Sequence, residues 1–424
     1  MHYFLSFPPQ IKTITRLPSS KSISNRVLII NALAKGGHTP QNLSDSDDTR
    51  VMIEALNGET EVIDIMAAGT AMRFLTAYLS VTPGTHIITG TERMQQRPIQ
   101  LLVNALQELG AQIEYIRNEG FPPLRITGRE LTGKEICLQG NISSQYISAL
   151  LMIAPVLKNG LQLHLTGEII SRPFIRLTLE LMKEFGIELS EDSPADISIK
   201  PQSYRSVPFT VESDWSAASY WYQIVALSNV AEVELPELFR NSCQGDSRGM
   251  EIFARLGVET VFTNQGVVLR KTSARIEKLE ENFMDIPDLV QTFAVTCALL
   301  NIPFCFTGLQ SLKIKETDRI TALIVELGKL GYLLQEKNEN ILIWNGERKE
   351  SPSRPIIATY EDHRMAMAFA PAAIRCPDMR IADPHVVTKS YPCYWEDLKK
   401  SGSYYFKRLI LSLTCSAFMQ CRFF

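Results

Sequence analysis

The chain has 424 residues, with 43 Lys and Arg against 46 Asp and Glu, and a formal net charge of −3. That length exceeds one ordinary hydrophobic core, so two domains are expected. The charge balance argues against nucleic-acid binding, which shows as a basic surplus, so any anion site must be built locally from a few placed residues.

The first stretch, MHYFLSFPPQ, has no basic region followed by a long apolar one and does not read as a signal peptide. After Pro18 comes SSKSISNR, residues 19–26, and then the apolar VLIINALA. The same theme returns along the chain: AAGTAMR before FLTAYLS, NISSQY before ISALLMIAPVL, VESDWSAAS before YWYQIVAL, MDIPD before LVQTFAVTCALL, and YEDHR before MAMAFAPAAI. The first interval is nearer 50 residues and the later ones are roughly 70, a repeat at the level of supersecondary structure. Between these runs lie strand patterns bounded by turn residues: THIITG, LRITG, ICLQG, LQLHLTG, ADISIK, GVVLR and ILIWNG. Amphipathic helix patterns fill other gaps, in IQLLVNALQELGA, FIRLTLELMKEFGI and ITALIVELGKLGY. Residues 403–424 read as an atypical C-terminal tail whose apolar stretch is too short to cross a bilayer. No internal run is long enough either, and the chain is expected to be soluble and cytoplasmic.

Six units suggest two domains of three units each. A helix that is apolar all round belongs in a core. Its polar N-terminus then sits at the rim, with unpaired N–H groups and the positive end of the dipole. Several such ends aimed at one cleft make an anion site without a large net charge. Ser, Thr, Asp and Asn at these starts are also ordinary N-caps. Capping does not explain Lys21, Arg26, Arg73, Arg97, Arg319, Arg364 and Lys389, since cations are disfavoured at a positive dipole end. A bound anion would reverse that preference.

Particular residues sharpen this reading. Ser22 and Arg26 are four apart and share a helix face, with Lys21 at its mouth. Arg can clamp a phosphate or carboxylate with two hydrogen bonds, and Lys can supply a mobile charge or a proton. In KIKETDRI, Glu316 and Arg319 could simply pair within a helix; alternatively Lys315 and Arg319 face an anion, with Glu316 as a general acid or base. In YEDHR, Asp362 suits a cap or a partner for a cation, and a lone histidine such as His363 is more often structural. Asp288, after Pro287, is either a cap or, among cations, a base that stays ionised and takes a proton from a hydroxyl. Gly69 would let backbone approach a ligand, beside Thr70. The eight cysteines and six histidines are dispersed, with no CxxC and no HExxH, so no metal is expected. Neither a GxxxxGK[ST] nor a GxGxxG loop occurs. The census points to group transfer between small, highly anionic metabolites.

LPSSKSISNR, SDSDDTR, AAGTAMRFL, ERMQQRPI, ISSQYISALLMIAP, SRPF, ESDWSAASY, IPDL, KIKETDRI, EDHRMAMAFA and VTKSYP occur in one order over about residues 10–400. In this the chain resembles the 5-enolpyruvylshikimate-3-phosphate synthase family. The resemblance implies an α/β enolpyruvyl transferase fold of two domains, each of three βαβαββ repeats with buried helices, and an active site in the cleft between them. It places one domain at 1–18 plus 213–402 and the other at 19–212, with crossings near Ser19 and Ser213. It implies transfer of the enolpyruvyl group of phosphoenolpyruvate to the 5-hydroxyl of shikimate 3-phosphate, without a cofactor, by a monomer that closes around its ligands. Lys21, Ser22, Arg26, Ser143, Ser144, Gln145, Ser171, Asp288 and Lys315 match the shikimate 3-phosphate side. Lys21, Gly69, Arg97, Gln145, Arg319, Arg364 and Lys389 match the phosphoenolpyruvate side. Asp288 matches the proton acceptor from the hydroxyl, with Glu316 and Lys21 as the groups for proton transfer at the methylene carbon.

The chain departs from the family pattern in places. Phe174 stands where Tyr is usual, Ser311 where Asn is frequent, Ala67 and Ala68 where Asn-Ala is usual, and Phe74 where Pro is frequent. These departures bear on inhibitor sensitivity, to glyphosate in particular. The alternatives are the sister enzyme acting on UDP-N-acetylglucosamine and a non-catalytic anion-binding relative. The sister enzyme uses a loop cysteine that TGTERMQQRP lacks. A non-catalytic relative is expected to lose its carboxylates, whereas Asp288 and Glu316 are present.

Overall fold

The computed structural model describes residues 1–58 and 60–408. The six apolar runs form helices at Lys21–Ala34, Gly69–Val81, Ser144–Ile153, Trp215–Leu227, Val290–Leu299 and His363–Phe369. Every residue of Val290–Leu299 is buried, as its lack of a polar face requires. The first three of these helices pack on one another, and so do the last three. The amphipathic patterns become the helices Gln100–Glu108, Arg172–Glu184 and Arg319–Lys329, each covering its core with one face.

Among the described residues, five four-stranded sheets back the helices. Val62–Asp64 runs parallel to Gly84–Thr89; Leu124–Gly128 lies antiparallel beside the latter, and Gln112–Tyr115 closes the edge. All seven strand patterns read from the sequence are strands in these sheets. The other four sheets repeat the same order of one parallel and two antiparallel pairings. The unit over residues 19–58 is reduced. Its described residues form two helices, Lys21–Ala34 and Asp47–Asn57, and an isolated bridge from Gln41 to Thr210. The short first interval of the repeat leaves too little chain there for a sheet.

Two hydrophobic cores result. One draws on Ile23 to Val211; the other draws on Tyr3 to Leu17 together with Trp215 to Leu398. Each buried Leu, Ile, Val or Phe contributes about 1.5–3 kcal/mol, so each core is a substantial source of stability. His2–Ser6 and Gln10–Ile14 belong to the second core, where they pair with strands far along the chain. Tyr404–Arg408, the beginning of the expected tail, is an edge strand beside His2–Ser6. The rest of that tail, 409–424, lies outside the described residues.

The chain passes between the cores twice, side by side. Ser19 and Ser213 form an antiparallel bridge, with Ser20 N donating to Glu212 O at 2.8 Å and Asp214 N to Pro18 O at 2.9 Å. Asp214 caps two helices from this joint. Its Oδ1 accepts from Ala217 N at 3.0 Å, and its Oδ2 accepts from Lys21 N at 3.3 Å. Asp214→Ala should therefore lower stability by about 1–2 kcal/mol, with Asp214→Asn closer to the parent. Urea unfolding of the three proteins checks this; superimposable curves would remove the capping role.

Candidate active site

The N-termini of the buried helices meet at a cleft of about 520 Å³. Every residue expected at the site lines it except Lys389, which stands behind Glu316 with Nζ 2.9 Å from Oε1. The lining carries seven Lys and Arg side chains against four carboxylates, so the cleft is positive although the protein is not.

On one wall the arginines lack counterions among the described residues. Arg26 is buried, and its donors go to neutral groups: Nε to Thr178 Oγ1 at 2.7 Å, Nη1 to Ser22 O at 2.8 Å, and Nη2 to Ser148 Oγ at 3.1 Å. Its guanidinium stands 5.2 Å from the centre of the Phe74 ring and 5.9 Å from that of Phe174. Burial without a carboxylate pulls Arg26 down to about 9. Arg73 is also buried, with Nη1 to Gly69 O at 3.1 Å and Nη2 to Pro98 O at 3.0 Å. Burial, with Arg97 nearby, pulls it down to about 10. Among the described residues none of Arg26, Arg73 and Arg97 has a carboxylate within salt-bridge distance. A Cβ on Gly69 would stand 2.6 Å from Arg97 Nη1, so glycine there lets the guanidinium lie against the helix start. Ala68 offers that helix no side-chain cap, which leaves its first amides open.

Other residues on this wall already serve the fold. Ser143 caps the Ser144 helix through Gln145 N at 3.4 Å, and Gln145 Nε2 reaches Thr70 Oγ1 at 3.2 Å. Ser171 takes a left-handed φ of 53° and donates its N–H to Met284 O of the facing core at 3.1 Å. Lys21 Nζ lies 3.6 Å from Asp48.

On the other wall every cation is engaged. Arg319, 1% exposed, donates Nε to Asp362 Oδ2 at 2.7 Å, Nη1 to Asp288 Oδ1 at 3.1 Å and Nη2 to Glu316 Oε2 at 3.0 Å. Asp288 Oδ2 accepts from Arg364 Nη2 at 2.8 Å, and Lys315 Nζ stands 3.8 Å from Oδ1. Burial pushes the Asp288 carboxyl up, but Arg364, Lys315 and Arg319 outweigh it and hold the group well below the usual carboxylate range. Burial likewise opposes Lys389 and Arg319 at Glu316, and loses. Both carboxylates are therefore ionised. Glu316 pairs with Arg319 and also lines the cleft, but it lies in the bend before the Arg319–Lys329 helix, so the expected pair within a helix is instead a contact across the helix start.

A protein-family model described as EPSP synthase (3-phosphoshikimate 1-carboxyvinyltransferase) matches residues 7–58 and 56–398. A Bacteroides fragilis protein named 3-phosphoshikimate 1-carboxyvinyltransferase is 70% identical over 402 residues, covering 95% of this chain and 98% of the relative. A Sulfurovum protein of the same name is 35% identical over 416 residues, covering 92% of this chain and 96% of that one. The chain belongs to the EPSP synthase family. The fold agrees: an EPSP synthase from Acinetobacter baumannii superposes with a TM-score of 0.75 at 19% identity, covering 96% of this chain and all of that one. The enolpyruvyl transferase NikO from Streptomyces tendae gives 0.70 at 14% identity, covering 96% and 98%.

Two departures from the EPSP synthase pattern, Phe74 and Phe174, turn out to be the two rings around Arg26. Ser311 lines the cleft from the 3₁₀ turn Gln310–Ile314. The structure adds residues that the motifs left unassigned. Arg73 lines the cleft beside Arg97. His363 is buried with neither ring nitrogen bonded among the described residues, and burial next to Arg364 holds it well below its ordinary value, so it is neutral. Asp246 accepts from Ser216 Oγ while its Oδ1 has no partner. Its turn fits tightly, since a Cβ on Gly245 would stand 2.4 Å from Pro173 Cβ of the other core. Nothing in QGDSR marks a buried carboxylate, because the segment has no apolar period.

Burial, then repulsion from Asp288, pushes Asp246 up to about 7. A carboxyl raised in the folded state costs nothing below its unfolded value near 4, and that stability is lost as pH rises through about 7. Asp246→Asn cannot ionise. The difference in thermal midpoint between variant and parent should therefore shift in the variant's favour from pH 5 to pH 8. A constant difference would mean that Asp246 is ionised throughout.

Proposed function

We propose that the cleft performs enolpyruvyl transfer with the residues named from the motifs in the roles given to them there. The chain is a transferase of the shikimate pathway, as its family and its 70% identical relative indicate. The observation that carries the residue roles is that a single positive cleft gathers them around two ionised carboxylates.

Phosphoenolpyruvate lies towards Lys21, Gly69, Arg97, Gln145, Arg319, Arg364 and Lys389. Shikimate 3-phosphate lies towards Lys21, Ser22, Arg26, Ser143, Ser144, Gln145, Ser171, Asp288 and Lys315. Arg26 and Arg97 are suited to meet anions because no carboxylate competes for them. Lys21 delivers a proton to the methylene carbon of phosphoenolpyruvate. The 5-hydroxyl oxygen bonds to the adjacent cationic carbon, and its proton passes to Asp288. Glu316, held ionised by Lys389 and Arg319, removes a methyl proton as the carbon–oxygen bond to phosphate breaks. The enol ether and inorganic phosphate leave.

Ligand arrival also arms the base. Asp288 neutralises Arg319, Arg364 and Lys315. Anionic ligands that share those cations raise the carboxylate's affinity for a proton. Domains at 1–18 plus 213–402 and at 19–212 account for the two cores and the paired crossings. A cytoplasmic monomer that closes on its ligands fits a cleft whose one wall repels itself until anions arrive.

Purified protein given shikimate 3-phosphate and phosphoenolpyruvate with a chelator should release phosphate only when both are present. The enolpyruvyl product would be confirmed by mass. No release from folded protein, with release when UDP-N-acetylglucosamine is the acceptor, would replace this assignment by the sister reaction. Asp288→Asn should lower kcat by about 10²- to 10⁴-fold while shikimate 3-phosphate still binds in calorimetric titration. Equal loss of binding and folding would make Asp288 a structural cap.

A further inference from the structure

Glu326 lies two turns beyond Arg319 on the Arg319–Lys329 helix and is fully buried. Its carboxylate accepts from Tyr360 Oη at 2.6 Å and from Ala358 N at 3.0 Å, as well as from Lys329 Nζ at 2.7 Å. Lys329 Nζ in turn donates to Ile356 O at 3.0 Å. One face of the helix therefore fastens the segment 356–360.

That segment leads into a strained turn. Tyr360 and Glu361 have φ of 55° and 56°, consecutive left-handed residues without a glycine between them. L-residues rarely take this conformation, and two in a row persist only where surrounding contacts hold them. The next residue is Asp362, which accepts from Arg319 Nε and Nη2 and caps the helix bearing His363 and Arg364. One helix thus grips the turn at both ends, with Glu326 behind it and Arg319 in front.

We propose that Glu326, acting through Tyr360 and Ala358, is a positioning residue for the transfer reaction that fixes where Asp362, His363 and Arg364 stand against Asp288. This rests on the site reading given above. The carboxylate is suited to the task, because three donors converge on it. A glutamine there would offer one acceptor oxygen and turn an N–H₂ towards a donor.

Kinetics of Glu326→Gln, Tyr360→Phe and the double variant test the proposal, with Asp288→Asn alongside. Tyr360 is 38% exposed, so removing its hydroxyl should leave the fold intact. Each single variant should lose roughly ten- to a hundredfold in kcat/KM for phosphoenolpyruvate, with KM for shikimate 3-phosphate within about twofold of the parent. The double variant should be no worse than Glu326→Gln alone, because the bond that Tyr360→Phe removes is one of those through which Glu326 acts. A purely structural role would lower the thermal midpoint and leave kcat/KM of the folded protein unchanged, which overturns the proposal. If Glu326→Gln does not fold, Tyr360→Phe decides alone: parental kcat/KM overturns it. Full activity in Asp288→Asn would instead bring down the site reading, and this inference with it.

Discussion

Arg319 sits out of water among three carboxylates, and the working geometry of one wall follows from it. Burying a guanidinium is costly, and the cost is smallest when its charge and its donors are met. Asp362, Asp288 and Glu316 do this together, from three separate segments of the chain. Buried ion pairs often add no stability relative to an apolar core of similar volume; what these pairs fix is relative position. Removing one partner from such a group typically costs about 3–5 kcal/mol, because a charge is left stranded. The side chains of this wall are therefore held in place by one another.

The opposite wall is built on another principle. Arg26 and Arg73 are held by carbonyls, hydroxyls and aromatic faces, which orient a guanidinium without cancelling its charge. The two walls differ as an internally neutralised frame differs from an open set of charges. Field lines from the open set end on whatever anion enters, in a cleft with low-dielectric sides. This explains how a protein of net charge −3 offers a positive site.

Much of this was legible in the sequence, and the limits have physical causes. The six apolar helices showed because a buried helix needs no polar face, and the seven strand patterns showed because turn residues bound them. The reduced first unit was visible as a short interval. The cations at helix starts stood out because they contradict the dipole rule. Asp246 and Glu326 did not show, since a buried carboxylate is made by partners distant in sequence and leaves no local period. Which of the arginines would be neutralised was also beyond reach: Arg26 and Arg319 each begin an apolar or amphipathic helix, and only the packing separates them. Phe74 and Phe174 read as two unrelated departures until the fold brought both rings to one guanidinium.

The pairing of Gln10–Ile14 with Val230–Pro236 has a consequence for biosynthesis. These parallel strands are neighbours in one sheet, yet the whole of the other core is threaded between them. The enclosed core is continuous in sequence, and its buried residues, Ile23 to Val211, are all available once residue 212 has been made. The outer one is not: His2–Ser6 waits for Arg380–Ala382 and Tyr404–Arg408. On a ribosome the inserted core can close first, while the opening residues of the chain remain without their sheet until translation is almost over. The outer core cannot complete its sheets on a truncated chain, so premature termination yields one finished half and half a cleft.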